Sequence, residues 1–287
     1  MKYIGAHVSI AGGIANAPAN AAALGATAFS LFTKNQRQWQ APEVTPEESS
    51  AFREACAGHG FTPAAILPHD SYLINLAQPD PEKRRAAVAA FTAELRRCRA
   101  LGLDKLNFHP GSNLGKTGTA EGIRAIAEGV RSALDEVEGV TAVFENTAGQ
   151  GSTLGRSFEE LAAMLEATDR PDRVGVCLDS CHAAAAGYDL VTAEGIDAFF
   201  ARFAELIGFE HLRGMHLNDA KGAVGSRLDR HAPLGDGVLG WEFFRRVMRD
   251  PRFDGIPLVL ETPEPERWPE EIAELRRLAE GTSAGQP

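Results

Sequence analysis

The amino-acid sequence predicts a single parallel α/β barrel, and three observations carry that expectation. β-like apolar runs alternate with helix-period segments about eight times, the pattern of a closed parallel sheet rather than an antiparallel one. Imidazoles and carboxylates stand where most of the apolar runs end, and in barrels of this kind the C-terminal strand ends open into the mouth that carries the chemistry. The length of 287 residues, 44% of them hydrophobic, suits one large core, and no Pro/Ser-rich linker or shift in composition divides it. The predicted fold class is therefore α/β: a single (β/α)8, or TIM, barrel over residues 1–280, followed by a disordered tail at 281–287 (GTSAGQP).

In chain order, strands are expected near 3–8, 28–33, 64–68, 105–109, 141–145, 175–179, 212–217 and 256–261, with helices between them. From Glu82 to Leu101, the residues Val88, Phe91, Leu95, Cys98 and Leu101 recur at three- and four-residue steps. Lys83, Arg84, Glu94, Arg96 and Arg97 fall largely between them, so this helix buries one face. Ile196, Phe199, Phe203 and Leu206 repeat the pattern between 195 and 207, and Ser157-Phe-Glu-Glu reads as a capping box opening another helix. Three loops carry unusual chemistry: 36–40 after the second strand, 70–78 after the third, and 218–240. The last holds Asp219, Lys221, Arg227, Asp229, Arg230, His231 and several glycines, and loops this long in barrels are usually functional.

Composition narrows the function classes. The balance of 29 Lys and Arg against 39 Asp and Glu, a formal charge of −10, argues against a surface that attracts nucleic acid everywhere, without excluding a nucleic-acid enzyme. Cys56, Cys98, Cys177 and Cys181 are too few and too irregular for a disulfide framework and form no CxxC pair, so reduced core thiols are expected. The chain opens MKYIGAHVSI without an apolar signal core, and no apolar run approaches the roughly 18 residues of a membrane helix. A soluble, cytoplasmic protein without membrane association is expected.

Nine side chains are candidate metal ligands: His69, His109, Glu145, Asp179, His182, His216, Asp229, His231 and Glu261. A single His is more often an ordinary surface or hydrogen-bonded residue than a ligand. Here five of the eight His fall at strand ends or in the long loop, together with four carboxylates in the runs AVFEN, VCLDS, LVLET and SRLDRH. Burying those carboxylates without a cation would cost several kcal/mol each, and the sequence offers few basic partners there. A mixed imidazole and carboxylate set favours zinc, with manganese or iron as substitutes, because thiolates are absent and an all-oxygen site would favour magnesium or calcium. Nine ligands exceed the needs of one ion. With about four per ion and bridging carboxylates they suit three, a cluster able to bind a phosphodiester and stabilise its leaving oxygen. Three dications would also return roughly six positive charges to the cleft, inverting its local field.

The segments PHDSYLINLA, NFHPGS, ENTAGQGS, CLDSCHAAAAGYDL, MHLNDAK, DRHAPLG and LETP occur in this order across nearly the whole chain. Together they resemble the motif blocks of the endonuclease IV (deoxyribonuclease IV) family, apurinic/apyrimidinic endonucleases among the xylose-isomerase-like barrels. The resemblance implies a barrel with three zinc ions that cuts double-stranded DNA on the 5′ side of an abasic site, leaving a 3′-hydroxyl and a 5′-deoxyribose phosphate, and that also acts on 3′-blocked ends. It implies that His69, His109 and Glu145 hold one ion, that Glu145 bridges to a second held by Asp179, His216 and Glu261, and that His182, Asp229 and His231 hold the third. Glu145 and Glu261 become the expected catalytic residues, the first keeping two ions close, the second orienting or deprotonating the attacking water. Arg37 in KNQRQW and Tyr72 and Leu73 in HDSYL become the residues expected to enter the minor groove. Loops at the C-terminal face would thus bind DNA, and a monomer with no obligatory protein partner is expected.

The chain departs from the family pattern in small ways: Ser180 for Thr, Ala184 for an aromatic, Ala220 for Ser, and Ala232-Pro233 for acidic or polar residues. No ligand is lost, so these changes bear on the hydrogen bonds that orient ligands. A rival reading is a metal-dependent sugar isomerase or epimerase on the same kind of barrel, which would use Glu145, Asp179, His216 and Glu261 but would not need His69, His109, His182 or His231. A barrel that has lost catalysis and only binds would be expected to lack at least one ligand.

Overall fold

A computed structural model of the chain describes residues 1–281; the tail expected to be disordered lies, from residue 282 on, outside the described residues. Its elements are β1 (Tyr3–His7), α1 (Asn16–Ala23), β2 (Ala28–Phe32), α2 (Pro46–Gly58), β3 (Ile66–His69), α3 (Pro81–Leu101), β4 (Lys105–Phe108), α4 (Thr119–Glu136), β5 (Thr141–Glu145) and α5 (Phe158–Thr168). There follow β6 (Val174–Asp179), α6 (Ser180–Ala186), α7 (Ala193–Leu206), β7 (Leu212–His216), β8 (Asp219–Ala220), β9 (His231–Ala232), α8 (Gly240–Arg249), β10 (Pro257–Leu260) and α9 (Trp268–Glu280). Eight of these strands close a barrel in the order β1-β10-β7-β6-β5-β4-β3-β2, every pair parallel. The predicted (β/α)8 barrel is the observed one, and its closure pairs Tyr3 with Pro257 and Ala6 with Leu260.

Helices form an outer ring whose core is aromatic, with Phe29, Phe91, Phe108, Phe144, Phe158 and Phe203 each fully buried between helix and strand. Inside the barrel, Leu67, Val143 and Cys177 make a separate buried cluster. Side chains two apart on a strand face the same way. The next inward layer is therefore His69, Glu145 and Asp179, each two residues beyond a member of that plug. The small size of Gly214, two before His216, is forced by the same layer: a Cβ there would lie 2.8 Å from Leu67 Cδ2.

Three local expectations need correction. Ser157 does cap α5, accepting from Glu160 N, but Glu160 turns its carboxylate to the amides of Gly155 and Arg156, so the reciprocal half of the box is missing. The 218–240 segment is less irregular than expected, because β8 and β9 pair Asp219 with Ala232 and Ala220 with His231 in an antiparallel hairpin. Glu94, read as polar filler on α3, is only 1% exposed. All four cysteines are free and buried, as expected. Among the described residues no helix is long and apolar enough to cross a membrane.

Candidate metal centre

Register places the donors. Asp179 on β6 pairs directly with His216 on β7, His216 with Val259 on β10, and His69 on β3 with Asn107 on β4, so one level of the barrel collects side chains from neighbouring C-terminal strand ends. Glu145 sits at the centre. Its Oε2 lies 3.3 Å from His69 Nε2, and its Oε1 lies 3.4 Å from His109 Nε2, 3.2 Å from His216 Nδ1 and 3.2 Å from His182 Nδ1. His216 Nδ1 is also 3.3 Å from Glu261 Oε2 and 3.9 Å from Asp179 Oδ2. On the far side, Asp229 Oδ1 stands 3.3 Å from His182 Nε2 and 3.4 Å from His231 Nε2. All nine candidate ligands thus converge on one pit.

The donor set fits a metal cluster. The donor atoms of His69, His109 and Glu145 lie within 4.8 Å of one another, as do those of His182, Asp229 and His231. Tetrahedral zinc with bonds of about 2.0–2.1 Å spaces its ligands by roughly 3.3 Å, close to the N···O separations just given. His69 Nδ1 meets Asp70 O at 2.9 Å, His182 Nδ1 meets Asn146 O at 2.9 Å, and His231 Nδ1 meets Glu261 O at 3.0 Å. A carbonyl can only accept, so it fixes the ring proton on Nδ1 and leaves the Nε2 lone pair facing the pit, the arrangement metal-bound imidazoles adopt. His231 Nε2 is buried and has no hydrogen-bond partner.

Electrostatics point the same way. Glu145, Asp179 and His216 are 0% exposed, so charge there needs a counter-charge. Burial pushes the Glu145 carboxyl up, but the nearby His216 and His109 rings more than offset it and hold it well below the usual carboxylate range. Glu261 is lowered in the same way, burial being outweighed by His216 and His7. Burial opposes charge on the His231 ring, yet the Asp229 carboxylate 3.4 Å from its Nε2 and the charge of Asp179 hold it up at about 9. With protons as the only counter-charges, the acids draw them onto the rings; a bound dication displaces them.

The three residues expected to meet DNA lie at or near this pit. Tyr72, 59% exposed, sets its ring 5.4 Å from that of His69 and 5.7 Å from that of His109. Leu73 faces a shallow groove with Trp39 and Asn75. Arg37 is not among the donors; it lines a neighbouring cavity of about 780 Å³ with His7, Phe32, Asn35 and Trp268.

Comparison with known proteins settles the family. The model of the xylose isomerase-like TIM barrel family matches residues 18–278. The crystal structure of endonuclease IV from Thermus thermophilus aligns over 98% of this chain and 100% of that one, at 36% identity and a TM-score of 0.85. The chain belongs to the endonuclease IV family. A D-tagatose 3-epimerase-like protein aligns over 98% of both chains at 17% identity and a TM-score of 0.74, a likeness of fold alone. The same holds for D-psicose 3-epimerase from Clostridium cellulolyticum, at 16% identity, a TM-score of 0.65, and coverage of 91% and 90%.

Several side chains of this endonuclease IV family member escaped the sequence reading. His7 ends β1 and meets Glu261 Oε1 at 2.8 Å through Nδ1, while its ring packs on Phe32 at 4.4 Å. The rule that found the donors, an ionisable residue closing a strand-like run, would have found it. Asn218 donates Nδ2 to Asp179 Oδ2 at 2.7 Å and accepts Glu261 N at 2.9 Å, and Asn107 Nδ2 donates to Glu145 Oε2. Of the departures from the family pattern, Ser180 keeps a working hydroxyl, donating to Asn218 O at 2.7 Å and accepting Asn218 N at 2.9 Å. Ala184, Ala220 and Ala232 are buried, and their methyl side chains offer no hydrogen bond.

Proposed function

We propose that this protein is a DNA-repair endonuclease that hydrolyses the phosphodiester 5′ to abasic sites in double-stranded DNA, leaving a 3′-hydroxyl and a 5′-deoxyribose phosphate, and that it also clears 3′-blocking groups. The observation that carries the reading is the convergence of all nine donors around Glu145. Three zinc ions would be held by His69, His109 and Glu145; by Glu145, Asp179, His216 and Glu261; and by His182, Asp229 and His231. When bound, such ions supply Lewis acidity toward phosphoryl oxygens and ease the ionisation of water at neutral pH. Glu261, held at Oε1 by His7, orients the attacking water and takes its proton. Tyr72 and Leu73 stand at the rim to meet the minor groove, with Arg37 beside them. A deoxyribose without a stacked, paired base rotates out of the duplex at lower cost than an intact nucleotide, which is the source of selectivity.

A sugar epimerase would draw on Glu145, Asp179, His216 and Glu261 and leave the other five donors without a purpose. The deciding experiment is incubation with a duplex carrying one tetrahydrofuran abasic analogue. A single nick 5′ to the lesion, abolished by chelator, is expected; a duplex left whole by metal-loaded protein refutes the assignment. Glu261→Gln is expected to abolish nicking while the duplex still binds, and near-normal cleavage by that variant would remove Glu261 from its role.

A further inference from the structure

We propose that a buried ion pair, Lys34 with Glu94, is a brace that sets the position of the Arg37 loop for DNA, a role that rests on the nuclease reading above. Glu94 lies on α3 among Phe91, Leu95 and Cys98, a face where a lone carboxylate is costly. Its Oε1 meets Lys34 Nζ at 3.0 Å, and its Oε2 accepts from Thr33 Oγ1 at 2.6 Å. Lys34 is 6% and Glu94 1% exposed at the side chain, so both charges are spent inside the protein.

The pair's other bonds all reach the loop that follows β2. Lys34 Nζ donates to Gln38 O at 2.7 Å, on the far side of Arg37. Arg97, one turn beyond Glu94, donates to Thr33 Oγ1 at 3.1 Å and to Pro42 O at 2.6 Å, tying down both ends of the segment. From the opposite side, Ser71, next to Tyr72, donates Oγ to Gln36 O at 2.6 Å. The loop has little apolar anchorage of its own, since Asn35, Arg37, Gln38 and Gln40 are exposed and Trp39 is 48% exposed. Its shape therefore rests on polar tethers from α3 and from the Tyr72 loop. A buried ion pair contributes little net stability against an apolar replacement but fixes geometry, and a loop ordered before contact avoids the ordering cost on binding.

The test uses zinc-loaded, full-length protein and the variants Glu94→Gln and Arg97→Gln. Hydrogen exchange of the amides in 34–42 is expected to speed up about tenfold, as loss of one charged hydrogen bond implies, and KM for the tetrahydrofuran duplex to rise by a similar factor. The kcat and the zinc count stay unchanged. A purely structural pair would instead lower thermal stability with exchange in 34–42 and KM both unmoved, and that result overturns the brace; so does a parallel fall in kcat and zinc. Should Glu94→Gln fail to fold, Ser71→Ala, which cuts only the outer tether, is expected to give the same pattern with a smaller shift, and no shift there counts against the brace. A wild-type protein that leaves the duplex whole refutes the nuclease reading and the DNA half of this proposal, while the exchange result still decides whether the pair fixes the loop.

Discussion

The floor and the wall of the donor pit are built by different means. Glu145, Asp179 and His216 form the floor: each ends a barrel strand, each is 0% exposed, and each is placed by backbone ladders that hold whatever the side chains do. Asp229 and His231 form the wall, with side chains 36% and 18% exposed, and they ride on a hairpin of two residues per strand. Side-chain acceptors fix that hairpin. Asp219 Oδ1 accepts from Ala220 N at 2.8 Å and Leu239 N at 2.9 Å, and its Oδ2 accepts from Gly235 N at 3.0 Å. Glu271 on α9 accepts Leu234 N at 2.7 Å. Gly237 is pressed so close that a Cβ would stand 2.3 Å from Asp219 Oδ1. The floor is thus a property of the fold, whereas the wall depends on a few acceptors that single substitutions can remove.

The largest effect is expected in the floor. Glu145→Gln removes the one carboxylate within reach of His69, His109, His182 and His216, so zinc content should fall by more than one ion. The drop in kcat/KM on abasic duplex should be well beyond the roughly 100-fold typical of changes to the partners of ligands. His231→Ala strikes the wall and should release about one ion, leaving the floor loaded and the loss of activity smaller. Elemental analysis beside a nicking assay reads both. Equal metal loss from the two variants would break the distinction between floor and wall.

Asp219→Asn sharpens the comparison because it touches no donor. The amide turns one acceptor into a donor facing backbone N–H groups, which should cost about 1–3 kcal/mol in denaturant unfolding. It should also lower kcat/KM by roughly 10–100-fold by loosening the hairpin. Ions in the floor should stay, and their loss would show that the wall also holds the floor.

How much of this was legible in the sequence follows the same division. The floor could be read because a carboxylate closing AVFE or VCLD breaks an apolar run where a strand must end, and the period of two then points it inward. All eight barrel strands were expected close to where they lie. The wall was harder: Asp229 and His231 stood out as a spaced pair, but the backbone N–H groups that donate to Asp219 lie 16 and 20 residues away at Gly235 and Leu239. His7 itself was legible as an ionisable residue at the end of a strand-like run; only its pairing was out of reach, because Glu261 is 254 positions distant and meets it only when β1 closes on β10. Glu94 looked like surface for a similar reason, since its cation, Lys34, comes from the loop that follows β2.

The smallest effect concerns Ser180, which stands where the family pattern has Thr. Its hydroxyl, 1% exposed, bonds both the N–H and the C=O of Asn218, and Asn218 in turn bonds Asp179 Oδ2 and Glu261 N. Ser180→Ala leaves two buried backbone groups short of a partner, a cost of about 1–2 kcal/mol. The side chain of Asn218 still reaches both acids, however, and those acids are placed by β6 and β10. Activity should therefore fall less than about tenfold, below the range for lost ligand partners, and zinc content should not change. Ser180→Thr keeps the hydroxyl and should retain activity, with any penalty confined to stability as the added methyl enters a packed site. A Ser180→Ala loss as large as that of Asp219→Asn would mean that the strand-end acids also hang on side-chain acceptors, and the ladder alone would no longer account for the floor.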